Sequence, residues 1–115
     1  MAYQLAYNLA MDIFKIARTF PEDERYSLTS QIRRSSRSVA ANLAEGYRKR
    51  QYRCMFISKM ADCGAEATET QVWLDFARDC GYLSPESYGQ IMAGYQELGR
   101  ILNGMIAKPE SFTPA

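Results

Sequence analysis

The chain has 115 residues, a formal net charge of +1, 47% hydrophobic residues and 23% charged ones. That length suits one domain with a sizeable core, and the balance excludes intrinsic disorder and any run of about 20 apolar residues able to span a membrane. Histidine is absent, which removes His-based triads, imidazole general bases and metal sites that need imidazole.

The first residues, MAYQLAYNLAMDIFK, lack a basic start and an A-x-A cleavage site, so a cytoplasmic location is expected and secretion is not. Cys54, Cys63 and Cys80 are odd in number and form no C-x-x-C pair, and are expected to be buried, reduced thiols. Leu5, Leu9, Ile13, Ile16 and Phe20 recur at spacings of four and three, which predicts an amphipathic helix over about 3–19. Pro21 stops it and opens the next, with Glu22, Asp23 and Glu24 in a first turn whose dipole favours acids. Leu28, Ile32, Val39 and Leu43 mark the apolar side of this second helix, and Gly46 is expected to close it as a C-terminal cap.

The third helix, over about 52–80, has the cleanest repeat: Phe56, Met60, Cys63, Ala67, Thr70, Leu74 and Ala77 form a heptad seam. At 1.5 Å per residue it is roughly 40 Å long, too long for a compact sphere, so an elongated bundle is expected. Gly81 ends it, and Ser84-Pro85-Glu86 opens the fourth helix with a cap, an N1 proline and an early acid. Tyr88, Ile91, Tyr95, Leu98, Leu102 and Met105 make that helix's apolar side, while Gly89, Gly94, Gly99 and Gly104, five apart, spiral round it. Residues 1–108 are read as one bundle domain and 109–115 as a short tail, frayed from Pro109. The fold class is all-α: an elongated, antiparallel, up-and-down four-helix bundle.

Charge is distributed unevenly. Residues 28–53 carry seven basic side chains (Arg33, Arg34, Arg37, Arg48, Lys49, Arg50, Arg53) against one acid, Glu45, whereas residues 54–115 carry four basic and eight acidic ones. Such a field suits an anionic partner, or self-association in which basic and acidic surfaces meet. On the second helix Gln31, Arg34, Ser38, Asn42 and Glu45 form a polar stripe beside the apolar one, and Arg33 and Arg37 point towards the outside. The stripe is either a solvated face or, with the small Ala41 and Ala44, a place of close helix approach inside the bundle or between subunits. The third helix offers a counterpart in Asp62, Glu66 and Glu69, continued by Trp73. Val72 and Phe76 widen its apolar surface beyond one seam, so Val72, Trp73 and Phe76 are expected to contact another subunit. Glu66 and Glu69 form an E-x-x-E pair without the histidines of di-iron bundles, so no metal site is assigned.

Phe20-Pro21, Glu24, Leu28, Gln31-Ile32-Arg33-Arg34, Ser38-Val39 and Asn42-Leu43-Ala44-Glu45-Gly46, with Glu69-Thr70-Gln71 and Cys80-Gly81-Tyr82-Leu83, cover nearly the whole chain. Together they resemble the four-helix bundle proteins of bacterial 23S rRNA intervening sequences, which are similar to accessory variability determinants of diversity-generating retroelements. The resemblance implies a left-handed bundle assembling as a ring-like homopentamer, with no catalytic activity assigned; no cofactor is expected for this chain. It also implies nucleic-acid binding on a basic surface and, in a retroelement context, a reverse transcriptase as partner. The chain departs from the family pattern at Gly64, where serine is common, and at Ala67, where glutamate is common.

Two functions compete. Arg48, Lys49, Arg50 and Arg53, interleaved with Tyr47 and Tyr52 and extended by Arg33 and Arg37, offer phosphate-pairing cations beside rings that can stack on unpaired bases. The same surface also suits an acidic protein, in a structural or interaction module without RNA or DNA. An enzyme is not expected, because Ser35, Ser36 and the cysteines lack a positioned base and no Gly-rich phosphate loop follows a strand.

Overall fold

The structure is a computed structural model that describes residues 1–111. Among these residues there are four α-helices and no strand: α1 (Ala2–Ala17), α2 (Leu28–Arg48), α3 (Arg53–Asp79) and α4 (Pro85–Ala107). Short 3-10 turns at Glu22–Glu24 and Pro109–Ser111 precede α2 and follow α4. The molecule measures 49 × 25 × 18 Å, its long axis set by the 27 residues of α3. Its radius of gyration, 14.8 Å, exceeds the roughly 13 Å of a rounder chain of this length.

The predicted apolar periodicities become the core. All seven seam residues of α3 are buried, and so are Leu28, Ile32, Val39 and Leu43 of α2. Alanines deepen the α1 side, where Ala2, Ala6, Ala10 and Ala17 join Leu9 and Ile13. Ser35, Ser36 and Thr70 are buried with them, and the Ser35 and Thr70 hydroxyls share a 2.8 Å hydrogen bond between α2 and α3. Arg34 meets Glu66 and Glu69 while Glu45 meets Lys59, so α2 and α3 run in opposite directions. No helix among the described residues is long and apolar enough to cross a membrane.

Helix boundaries differ from expectation at two places on α2. Pro21 starts the separate 3-10 turn, and α2 begins only at Leu28, because the Glu24 carboxylate folds over the junction. It accepts hydrogen bonds from the Ser27 hydroxyl at 2.6 Å, the Tyr82 hydroxyl at 2.8 Å and the Leu28 N–H at 3.4 Å. Gly46 does not cap α2. It is buried within the helix, which runs on to Arg48, and its missing side chain lets α3 approach.

The glycine with positive φ is Gly81, at 79°, where the Tyr82 N–H reaches back to the Ala77 carbonyl and ends α3. Ser84 caps α4 by accepting from the Ser87 N–H at 3.1 Å, with Pro85 at the first helical position. Of the four glycines spaced along α4, Gly94 alone faces a close neighbour, Leu9 of α1. The tail is not frayed from its first residue: Pro109 is buried in the last 3-10 turn, against α3 and α4. Positions 112–115 of the expected tail lie outside the described residues.

Candidate nucleic-acid interface

The basic end of α2 is built by a tight connection. The Lys49 N–H bonds the Gly46 carbonyl, the Arg50 N–H bonds that of Tyr47, and the Tyr52 N–H bonds that of Lys49. Tyr52 then caps α3. The turn leaves Arg48 and Arg50 exposed and Lys49 half-buried, all three without an ion pair among the described residues. The one acid of the basic segment, Glu45, accepts from Lys59 Nζ at 2.7 Å and also feels the charge of Lys49. That bond holds the Glu45 carboxyl below its usual range and raises the Lys59 ammonium.

Arg53, at the start of α3, faces Glu110 at 3.5 Å, with both side chains exposed. Tyr47 is half-buried against the core, and the Arg50 guanidinium lies 5.5 Å over its ring, so one face is already covered. Tyr52, 54% exposed, keeps an open ring.

Arg33 and Arg37 belong to a different cluster, eleven or more residues back along α2, or at least about 16 Å of helix. With Arg18 they surround the Phe14 ring of α1, at 5.2 Å for Arg33, 5.8 Å for Arg18 and 6.0 Å for Arg37. Arg33 does not simply point outward, since its Nε is buried against this ring without a hydrogen-bond partner. Phe14 and Arg18 were not singled out from sequence, although their i, i+4 spacing is that of a helical neighbour pair.

The polar stripe of α2 faces α3 of the same chain. Arg34 donates from Nη1 to Glu66 at 3.0 Å and from Nη2 to Glu69, while Gln31 Oε1 accepts from Arg34 Nε at 3.5 Å. Asn42 Nδ2 donates to the Ser38 carbonyl and hydroxyl at 3.0 and 3.1 Å, and Asn42 Oδ1 accepts from Lys59 at 3.2 Å. Ala41 and Ala44 lie elsewhere, exposed in the cleft towards Tyr3 and Tyr7 of α1. Close approach of α2 to α3 rests on Gly46, Ser35 and Cys63 instead.

Trp73 closes the seam by donating from Nε1 to Glu69 at 3.1 Å. That hydrogen bond, followed by Arg34, holds the Glu69 carboxyl below its usual range. Beyond it, Val72 is 42% and Phe76 54% exposed, and the Trp73 and Phe76 rings meet at a tilt of 40° with centroids 5.9 Å apart, beside a cleft of about 260 Å³. The cysteines divide. Cys63 is buried, and its thiol is pushed up to about 12 by burial, whereas Cys54 and Cys80 are exposed. Cys54 sits in the first turn of α3 and Cys80 is its last cap, both off the seam that buries Cys63.

These features define a small all-helical bundle with a polar zip along α2 and α3 and, at the end of α2, a group of cations without an ion pair among the described residues. The chain belongs to the 23S rRNA-intervening sequence protein family, whose model matches residues 1–104. It is similar to a crystal structure from Bacteroides thetaiotaomicron, described as a protein with unknown function from the S23 ribosomal protein family. The two share 27% identity with a TM-score of 0.85, over 92% of this chain and 98% of that one. No curated protein matches.

Proposed function

We propose that this protein is a non-enzymatic, self-assembling scaffold that holds RNA or DNA weakly, and with little sequence preference, on the basic end of α2. One observation carries the reading. Arg48, Lys49 and Arg50 stand together at one tip of the molecule with no ion pair among the described residues, and the nearby Glu45, within electrostatic reach of Lys49, gives its hydrogen bond to Lys59. Unpaired guanidinium and ammonium groups bind phosphates by releasing condensed counterions, which gives salt-sensitive, sequence-independent affinity. Exposed Tyr52 beside them supplies a ring on which an unpaired base can stack. The family's description refers to 23S rRNA, in keeping with a nucleic-acid partner.

Self-association is supported by exposed apolar side chains on two separate faces: Tyr3, Tyr7 and Met11 on α1, and Val72 and Phe76 on α3. A homopentamer is the assembly we expect, and several copies would convert a weak contact into useful avidity. Anisotropy of labelled single strands, titrated with salt, tests the nucleic-acid reading. The R48E/K49E/R50E variant should flatten the log–log salt dependence by about 2, near 0.7 for each of three lost phosphate contacts. Unchanged binding in that variant would refute this site. An acidic protein that remains bound after nuclease digestion and is lost in the same variant would favour a protein-docking role.

A further inference from the structure

A second basic site lies at the opposite end of α2. Between the end of α1, the 3-10 turn and the first turns of α2 is a cleft of about 250 Å³ lined by Arg18, Arg25, Thr29 and Arg33, with Glu22 at its edge. Water occupies roughly 30 Å³ per molecule, so the cleft has room for a tetrahedral oxyanion and several waters. Thr29 to Arg48 is nineteen residues of helix, or roughly 28 Å, which separates this cleft from the strand-binding end proposed above.

Two observations point to a missing anion. The first is charge. Arg18 and Arg33 have no ion pair among the described residues, and Arg25 has only Glu22 at 3.3 Å, whose side chain is 86% exposed. Three arginines thus line one cleft beside a single exposed carboxylate, Arg25 with its guanidinium 5.3 Å over the Tyr26 ring. The second is an orphaned hydroxyl: Thr29 is 7% exposed, and its Oγ1 is buried without a hydrogen-bond partner. Arg33 Nε, one helical turn on, is buried and unpartnered too. Buried polar atoms left unpaired are costly, and both belong to residues that line the cleft.

The chemistry favours phosphate over carboxylate. A guanidinium presents a planar fork of N–H donors that matches two oxygens at once, and three forks can be shared among the oxygens of a tetrahedral dianion. Packing of Arg18 and Arg33 on the Phe14 ring limits their freedom before the anion arrives. We infer that this cleft binds a phosphate group in dianionic form, received by Arg18, Arg25 and Arg33 with the Thr29 hydroxyl as a further donor, the phosphate replacing the solvent-exposed Glu22 as the partner of Arg25. The phosphate is either the free ion or the terminal phosphate of a nucleic-acid strand.

The test is calorimetric titration and thermal protection of the full chain with inorganic phosphate, against chloride at equal ionic strength. A parallel arm compares one oligonucleotide bearing a 5′-phosphate with the same oligonucleotide bearing a 5′-hydroxyl. Phosphate should raise the melting temperature of the wild type and of R48E/K49E/R50E alike, and R18M/R33M should abolish the effect. T29V, which removes an unpaired buried hydroxyl without changing shape, should fold at least as stably yet bind phosphate about tenfold more weakly, the value of one hydrogen bond to a charged group. A preference for the 5′-phosphate identifies a strand end as ligand; equal binding of the two strands beside a phosphate effect identifies the free ion, and both support the pocket. No phosphate effect beyond that of chloride, or the same effect in R18M/R33M and T29V, overturns it.

Discussion

Gly46 of α2 lies directly against Met60 of α3, so that a Cβ built on the glycine would overlap Met60 Cε and stand 3.2 Å from Lys59 Cβ. Met60 is fully buried in the seam, and Lys59 Cβ is no flexible end, so the added methyl must displace packed atoms. The glycine sets the distance between the two helices that carry every inter-helix polar contact of the stripe.

Replacing Gly46 with alanine is therefore expected to destabilise the protein although it improves helix propensity. The gain of about 1 kcal/mol from propensity opposes an overpacking cost of about 1–3 kcal/mol, for a net loss of roughly 1 kcal/mol. In a Met60→Ala background, which alone costs about 2–5 kcal/mol, the new methyl fills vacated space. Urea denaturation of the four-member cycle should show the Gly46→Ala penalty disappearing or reversing there.

Arg34 holds two carboxylates, Glu66 and Glu69, that are 22% and 33% exposed. Arg34→Met keeps the stem and leaves those acids facing each other. Because the arginine is 48% exposed, the loss should stay near or below about 1 kcal/mol and shrink with added salt. Glu24, Glu45, Glu69 and Asp79 all have lowered carboxyl pKa values in the folded chain. Each binds fewer protons folded than unfolded, so their contribution is complete above the ordinary carboxylate range and is lost as pH falls through the depressed values. The urea midpoint should be flat near neutrality and drop as pH falls below about 4.5. Glu69→Gln should flatten this acid limb more than Arg34→Met, since the Trp73 hydrogen bond persists in the latter.

Tyr82 provides the opposite limb. Its hydroxyl donates to Glu24, and that hydrogen bond raises the phenol from 10.0 to about 12. A raised folded value means that the contribution is complete below the unfolded value and is lost as pH rises through about 12. Tyr82→Phe should lower the midpoint at neutral pH and remove part of the alkaline decline, because the 5.6 Å contact with Phe20 is retained while the tie to the α2 junction is not.

Thiol titration separates the cysteines. Cys54 and Cys80 should react with a disulfide reagent in the native protein, and Cys63 only on unfolding, because burial holds its thiol in the neutral form. Cys80 lies beside Phe76 in the cleft of that face. If a second copy covers Phe76, Cys80 will be protected in the assembled protein and react after dissociation.

Periodicity made most of the bundle legible. Every α3 seam residue predicted from spacing is buried, as are the four apolar residues chosen on α2 and five of the six on α4. Boundaries were less legible where a side chain from far away intervened. Glu24 moves the start of α2 to Leu28 by accepting from Tyr82, and Gly46 is needed by Met60, not by a helix end. The candidate basic surface was only half readable. Arg33 and Arg37 share a charge and a helix with Arg48 and Arg50, but a ring on α1 draws the first pair away.

What the residues determine by themselves is the number of helices and the face each one buries, because a stripe of apolar side chains at 3.6-residue spacing leaves water whatever its neighbours are. Which polar groups end up paired was decided in three dimensions. Arg34 and Glu45 gained ion-pair partners and Arg48 and Arg50 found none among the described residues, because pairing depends on the register at which α2 meets α3. That register follows from the joint packing of Gly46, Met60, Ser35 and Thr70, contacts that no single helix contains.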